Sequence, residues 1–203
     1  MRYHHGDLRN ALLVAARDLA AEVGVDGFTL REVARRAGVS HTAPYHHFPD
    51  KAALVRALAI EAFKTLTRDL KDALRGATDP LEQLERVGER YVRFAITHPV
   101  EFRFMFRRDL CLTDHQKTDG DGDPLELESL NARAVLEAAV NAGSAAGRLE
   151  GDAKSVALTA WSGVHGLSTL ILDAPGFEGT SPEQVTAMAR GVIRGLRLGF
   201  ERR

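Results

Sequence analysis

The stretch TLREVARRAGVSHTAPYHHFPDKAALVRAL, residues 29–58, decides how the N-terminal part of the chain is organised. Thr29 precedes a run of apolar residues at helical spacing, and Glu32 follows three positions later, which is the pattern of a capping box. Gly38 ends this short helix, because glycine readily takes the positive φ that a tight turn requires. The stretch therefore begins with a short capped helix and a sharp turn.

A second short helix is predicted after this turn, with Ser40 as its cap and its end near His47. Pro44 lies within it and lacks a backbone N–H. We therefore expect a helix that is wound more tightly than an α-helix or that begins after Ser40. Asp50 is the predicted cap of a third, long helix that continues to about Leu74. Two short helices around a tight turn predict a helix-turn-helix whose second helix is presented outward.

Helical periodicity continues along the rest of the chain, without the alternation of apolar and polar residues that marks a strand. One apolar stripe over residues 7–23 predicts a helix ahead of the helix-turn-helix. Longer helices are predicted further on, over residues 80–97, 99–108, 126–146, 152–172 and 182–200. The predicted fold class is all-α, with a three-helix helix-turn-helix domain over residues 1–50 and a larger helical domain over residues 51–203.

Composition limits the class of protein. The chain has 203 residues, 44% of them hydrophobic, and a net charge of −1. Residues 1–58 carry an excess of Lys and Arg and most of the eight histidines, which favours an anionic partner for this part of the chain. The single cysteine, Cys111, excludes an internal disulfide and an all-cysteine metal site. Because neither a signal peptide nor an apolar run of about 20 residues is evident, we expect a cytoplasmic protein without a membrane span.

His41, His46 and His47 allow three hypotheses: a metal site, a catalytic base, or a surface that contacts nucleic acid. His46 and His47 are adjacent and point about 100° apart on a helix, which is a poor arrangement for binding one metal ion. A catalytic histidine needs a nucleophile or a paired carboxylate, and this segment supplies neither. We therefore favour nucleic acid, and expect no catalytic residue, no metal and no cofactor. Tyr45 is expected to project, whereas Phe48 is expected to pack in the core.

The order of these features resembles the DNA-binding module of the TetR family of transcriptional regulators: a capped helix, Gly-Val-Ser, Tyr-x-His-Phe, and a lysine that opens the next helix. The resemblance implies base contacts in the major groove from Ser40, His41, Thr42 and Ala43. It implies phosphate contacts, which fix register without reading sequence, from Thr29, Tyr45, His46 and Lys51. The N-terminal arm, residues 2–5, either approaches the DNA or frays.

Small residues recur at every fourth position along one edge of the last helix: Ala187, Gly191, Gly195 and Gly199. Each glycine inside a helix costs roughly 1 kcal/mol relative to alanine, so a close helix–helix contact is expected to offset this cost. The contact lies either between two subunits or within one. We favour a dimer interface, with the helix that contains Trp161 alongside.

The helix with Trp161 also contains His165 and Gly166, which resemble the Trp-x-x-x-His-Gly signature of one branch of the family's C-terminal domains. Trp161 and His165 share a face, either as ligand contacts or as a packed tryptophan beside a hydrogen-bonded histidine. Further candidates for an apolar ligand pocket, for which core packing would give the same pattern, are Tyr91, Phe94, Phe102, Met105 and Phe106.

Residues 111–124 are polar and Gly-rich, and we expect a mobile loop there. Asp119, Asp121 and Asp123 resemble the start of a calcium loop. However, Pro124 and Leu130 stand where the obligatory glycine and the closing glutamate belong, so bound calcium is not expected.

The resemblance as a whole implies a homodimeric repressor that binds a palindromic operator in double-stranded DNA and is released by a partly apolar small molecule. Two rivals stay open. One is a helical metal-dependent enzyme that uses the histidine cluster. The other is a protein-interaction adaptor that keeps the helix-turn-helix without reading DNA.

Overall fold

The computed structural model describes residues 5–107 and 123–200, with side chains from residue 8 onward. The described residues are predominantly helical, which confirms the all-α class with an N-terminal helix-turn-helix and a larger helical part. The elements are α1 (His5–Val23), α2 (Leu30–Arg36), a 3-10 helix (Ala43–His46), α3 (Lys51–Ala73), α4 (Pro80–Thr97), α5 (Pro99–Met105), α6 (Pro124–Ala145), α7 (Ala153–Asp173) and α8 (Pro182–Phe200). Most boundaries fall within two residues of those expected, although α5 ends at Met105.

The chain divides into two compact units. The first comprises residues 1–63 and 100–127, and the second comprises residues 64–99 and 128–203. This division follows how densely the residues contact each other. The boundary expected at residue 50 is instead the end of a DNA-binding module, and that boundary stays a prediction.

An apolar core in the first unit is built around α1, α2 and the beginning of α3. Phe48 is 3% exposed and belongs to this core, as expected. Phe104 of α5 is fully buried in the same cluster, where its ring stands edge-on to Phe28 with centroids 6.5 Å apart. Segments far apart in sequence therefore share this core.

The second unit is a close packing of α4, α7 and α8. Gly88 of α4 lies against Ile193 and Gly163 of α7 lies against Leu196, so closely that a Cβ on either glycine would overlap those side chains. Ion pairs at the rim join α8 to α4, with 2.6 Å from Arg190 Nε to Glu89 Oε1. The two glycines let the three helices approach each other, because a larger residue would hold them apart.

The expectation of a protein without a membrane span stays a prediction, and α7 is the described helix that bears on it. By length and composition alone, α7 is long and apolar enough to cross a membrane. The mean hydropathy of its most apolar 18-residue segment is 1.3, and 28% of that segment is buried. A packed core helix passes the same test. Leu158 and Leu170 are 56% and 50% exposed, so an apolar part of α7 has no cover from the described residues of its own chain.

Candidate nucleic-acid interface

The start of α2 is fixed by the capping box that the sequence predicts. The Glu32 backbone N–H donates to Thr29 Oγ1 over 3.3 Å, and the Thr29 backbone N–H donates to Glu32 Oε2 over 2.7 Å. The Thr29 hydroxyl also donates to Glu32 Oε2 over 2.8 Å, and these bonds lower the pKa of the Glu32 carboxyl. Thr29 is exposed, so it lies where a phosphate could reach it while its hydroxyl caps the helix.

The turn after α2 is a Schellman motif centred on Gly38, whose φ is +70°. The Gly38 N–H donates to Arg35 O and the Val39 N–H donates to Ala34 O, over 3.2 and 3.0 Å. Val39 packs against the core of the first unit, and Ala34 is 1% exposed. The turn therefore combines a glycine in the left-handed region with an apolar anchor, as expected for a helix-turn-helix.

The second helix of the motif differs from the expected α-helix that begins at Ser40. It is a 3-10 helix of four residues, Ala43–His46, with Thr42 at its cap position and no side-chain cap bond. The Ser40 hydroxyl lies 3.1 Å from the Thr42 hydroxyl instead. Pro44 explains the change, because it cannot donate the N–H that an α-helix from Ser40 would use at this position. The prediction of a tighter helix with a later start is confirmed, and Ser40 as its cap is wrong.

Most of the residues predicted to meet DNA are exposed: Thr29, Ser40, His41, Thr42, Tyr45 and His46. Ala43 is half-buried, and Pro44 is the buried residue of the 3-10 helix. Among the residues that the structure describes, no group of three His, Cys, Asp or Glu side chains could hold a metal ion. The motif presents hydroxyl, imidazole and phenol groups, which are suited to hydrogen bonds with phosphates and base edges.

Lys51, the remaining predicted phosphate contact, is half-buried and held in place. Its Nζ donates to the backbone carbonyl of Asp26 over 2.9 Å and lies 4.2 Å from the centroid of the Phe28 ring. Burial lowers the pKa of the Lys51 ammonium. Sequence reasoning missed Asp26 and Phe28, because neither belongs to a periodic pattern or to the helix-turn-helix motif.

Three predicted ligand residues form a hydrogen-bonded chain in the second unit. Trp161 Nε1–H donates to Tyr91 Oη over 3.2 Å, and Tyr91 Oη lies 2.9 Å from His165 Nδ1. Burial raises the pKa of the Tyr91 phenol and lowers the pKa of the His165 imidazole. Trp161, Tyr91 and His165 thus form the hydrogen-bonded packing that the sequence left as an alternative to ligand contact.

The remaining pocket candidates fall into two groups. Phe94 lies in the second unit, where it is 1% exposed and stacks on His98 with ring centroids 4.7 Å apart. Phe102 and Phe106 pack together in the first unit at 5.1 Å, near Met105, which is 5% exposed. These contacts are those of core residues, and a role in ligand binding stays a prediction.

The small-residue edge of α8 faces away from the described residues of its own chain. Ala187, Gly191, Gly195 and Gly199 are exposed, and a Cβ on any of the three glycines would meet no described atom within 4 Å. A surface groove of about 560 Å³ runs along this edge, lined by Glu183, Thr186, Ala187, Arg190, Gly191 and Arg194. The glycines that the fold uses within the subunit, at positions 88 and 163, were not identified from the sequence.

Two expectations concern residues beyond this description. The side chains of the N-terminal arm, residues 2–5, are not described, and most of the loop expected over residues 111–124, with Cys111 and the calcium-like motif, lies outside the described ranges.

Comparison with known families identifies the chain. Residues 12–58 match the family of bacterial regulatory proteins, tetR family, and residues 84–196 match the tetracyclin repressor-like C-terminal domain. The chain belongs to the TetR family of transcriptional regulators. Its helix-turn-helix is the family's DNA-binding module, and the family and fold are those of regulators and not of enzymes. The branch with the Trp-x-x-x-His-Gly signature stays a prediction.

The relatives include both a transcriptional activator and a transcriptional repressor. The transcriptional activator FasR of Mycolicibacterium smegmatis is 30% identical over 53% of this chain and 49% of its own length. The transcriptional repressor AcnR of Corynebacterium efficiens is 34% identical over 53% of this chain and 57% of its own length. The chain thus spans about half the length of these relatives, and about a quarter of the class A tetracycline repressor from Escherichia coli, to which it is 54% identical over 50 residues.

Solved structures match along nearly the whole chain. A protein of unknown function from Rhodococcus sp. RHA1 is 31% identical with a TM-score of 0.80, and the match covers both chains fully. The TetR-family regulator PfmR from Thermus thermophilus is 23% identical with a TM-score of 0.72, over 94% of this chain and 99% of its own. AibR, solved with isovaleryl coenzyme A and operator DNA, is 18% identical with a TM-score of 0.68, over 92% of this chain and 96% of its own.

Proposed function

We propose that this TetR-family chain is a ligand-responsive repressor that binds a palindromic operator as a homodimer. The observation that carries the proposal is the helix-turn-helix, in which Ser40, His41 and Thr42 are exposed at the start of a 3-10 helix anchored by buried Pro44 and Phe48. We assign base contacts to Ser40, His41, Thr42 and Ala43, and phosphate contacts to Thr29, Tyr45, His46 and Lys51.

Dimerisation is proposed through α7 and α8. The open glycine edge of α8 and the exposed apolar side chains Leu158, Leu170 and Leu198 are surfaces that the described residues of one subunit leave uncovered. A second copy placed on them by two-fold symmetry would bury both at once. The apolar exposure of α7 is explained by a subunit interface without a membrane, and we place the protein in the cytoplasm.

The effector is proposed to be a partly apolar small molecule that lowers operator affinity. We assign its contacts to one of two sets of residues, each within one unit. The set in the second unit is Tyr91, Phe94, Trp161 and His165, which includes the Tyr91–His165 hydrogen bond, and the set in the first unit is Phe102, Met105 and Phe106. The structure of AibR with isovaleryl coenzyme A and operator DNA supports this class of function by likeness of fold. Coupling requires that the effector bind the DNA-free form more tightly than the DNA-bound form.

Selection of a random duplex library by the purified protein, followed by sequencing of the bound pool, tests the DNA part. The expected result is an inverted repeat whose half-sites lie about 10 base pairs apart, or a multiple of that spacing. A folded protein that enriches no sequence would contradict operator binding, and a single enriched half-site would contradict the dimer. A reporter gene placed behind the selected site then distinguishes repression, as in AcnR, from activation, as in FasR.

Two variants test the division of labour within the motif. Thr42→Ala is expected to change the preferred sequence, whereas Lys51→Ala is expected to weaken binding to every duplex and to lower the salt slope by about 0.9, because it removes a cation from a phosphate. Equal losses on all sequences from both variants would contradict the assignment. Retention of zinc or another metal by the wild type but not by His46→Ala would favour the metal-dependent rival.

A further inference from the structure

The immediate surroundings of Lys51 include a charged group from a distant part of the chain. Arg107, which follows α5, donates from Nη1 and Nη2 to the two carboxylate oxygens of Asp26, each over 2.7 Å. Asp26 lies in the turn between α1 and α2, and its backbone carbonyl accepts the hydrogen bond from Lys51 Nζ. Both ends of the same residue are therefore bound, one by Arg107 and the other by Lys51.

A second support comes from the aromatic pair beneath the ammonium group. The Phe28 ring lies under Lys51 Nζ and is 2% exposed, while Phe104 stands edge-on against it. Phe104 and Arg107 belong to the same stretch of chain, three residues apart. That stretch thus supports the carbonyl and the ring that contact Lys51.

We propose that Arg107, through its bidentate pair with Asp26, is a positioning residue that fixes Lys51 for contact with a DNA phosphate. The inference rests on the proposed phosphate role of Lys51. An ammonium has three N–H groups, and the contacts with the Asp26 carbonyl and the Phe28 ring leave donor capacity for a phosphate oxygen. A lysine held in this way loses less side-chain entropy when it binds a phosphate than one that moves freely.

The alternative explanation is that Arg107 and Asp26 act on DNA only through their charges. These two explanations predict opposite signs for one substitution. Asp26→Asn removes a negative charge, so a charge effect alone would strengthen DNA binding. If Asp26 positions Lys51, the same substitution weakens binding because the pair with Arg107 is lost.

Arg107→Lys supplies the matched control, since it keeps the positive charge but loses the planar fork that binds both carboxylate oxygens. A charge effect predicts binding equal to that of the wild type. Positioning predicts weaker binding, with Arg107→Gln at least as weak. Neither Asp26→Asn nor either Arg107 variant should have a further effect when Lys51 has been replaced by Met.

The experiment measures binding to one mixed-sequence 30-base-pair duplex across a salt series by fluorescence anisotropy, with folding checked by circular dichroism. Losing the Lys51 contact lowers the slope of log K against log salt by about 0.9, so the affinity ratio between 50 and 200 mM salt falls about 3.5-fold. We expect this lower slope in Asp26→Asn and in Arg107→Lys. We expect no further lowering when either substitution is added to Lys51→Met. Tighter binding by Asp26→Asn, or an undiminished effect in that background, would overturn the proposal.

A readout without DNA separates this inference from the proposed function. The Lys51 ammonium lies over the Phe28 ring, so the protons on the adjacent Cε are expected to resonate upfield of those in other lysines, in an NMR spectrum of labelled protein. Arg107→Lys and Asp26→Asn should reduce that shift in folded protein, and an unchanged shift would overturn the positioning role. If the wild type does not bind duplex DNA, the proposed function fails, and the shift still decides whether Arg107 positions Lys51.

Discussion

The first compact unit is held by single side-chain anchors on short helices, whereas the second is held by close packing of three long helices. In the first, Arg17 Nε lies 2.8 Å from Glu101 Oε1, Arg107 pairs with Asp26, and Phe104 packs on Phe28. Helix α2 has seven residues and the 3-10 helix has four. Helices this short do not form alone, so tertiary anchors must hold them.

The second unit contains helices of 18, 21 and 19 residues, in α4, α7 and α8. Helices of this length place whole faces against each other, and the distance between them depends on residue size at the crossing points. Gly88 and Gly163 occupy such points. The stability of the first unit therefore depends on individual side-chain contacts, whereas the stability of the second depends on small residues where its helices cross.

Phe104→Ala should produce the largest effect, because it removes a fully buried ring from the core of the first unit. The expected loss is about 3–5 kcal/mol of unfolding free energy. Trp161, the one tryptophan of the chain, reports on the second unit alone. In urea, helix loss seen by circular dichroism should therefore precede the change in Trp161 fluorescence. Coincident early transitions would show that the two units do not differ in this way.

Gly88→Leu should lower the stability of the second unit by about 1–3 kcal/mol, because the new side chain overlaps Ile193. Gly191→Leu is the matched variant on the open edge of α8. It should retain the helix content of the wild type but disrupt the proposed dimer, as measured by sedimentation equilibrium. A Gly191→Leu protein that stays dimeric would show that this edge is not the interface.

Thr29→Ala should destabilise the first unit by about 1 kcal/mol, since the cap of a short helix is lost. Thr29→Ser keeps the hydroxyl and should behave as the wild type in urea unfolding followed by circular dichroism. If alanine and serine give the same stability, the bonds between Thr29 and Glu32 do not hold α2.

The smallest effect should come from His165 and should depend on pH. Burial lowers its pKa below the ordinary value of 6.5, so the unfolded chain binds a proton that the folded chain does not. The unfolding free energy should therefore fall as pH drops below roughly 6.5, and the fall should be weaker in His165→Gln. Identical pH dependence between pH 7 and 5 in both proteins would exclude this contribution.

The sequence predicted the features that depend on local chemistry. Thr29 with Glu32 defined a cap, Gly38 defined a turn, and Pro44 indicated a helix that starts late, because each acts within a few residues of its own position. Helix periodicity likewise predicted α4 and α8 with their observed bounds.

Contacts across long sequence distances could not be predicted in the same way. The bidentate pair between Asp26 and Arg107 joins residues 81 positions apart, and neither residue stands in a motif. The glycines of α8 recur at every fourth position, whereas Gly88 is the single glycine of α4 and Gly163 shares α7 with Gly166 without such a repeat. Their importance depends on which helix lies opposite, and a single sequence does not contain that information.

The late start of the 3-10 helix has a consequence for how this protein could acquire a new target. The turn ahead of the helix contains Ser40, His41 and Thr42, whose side chains are exposed. Because these residues are not helical, their helix propensity does not affect the stability of the fold. Substitutions at these three positions should therefore change base preference at little cost in stability. Evolution or a designed library can vary these positions while Pro44 and Phe48 keep the scaffold constant.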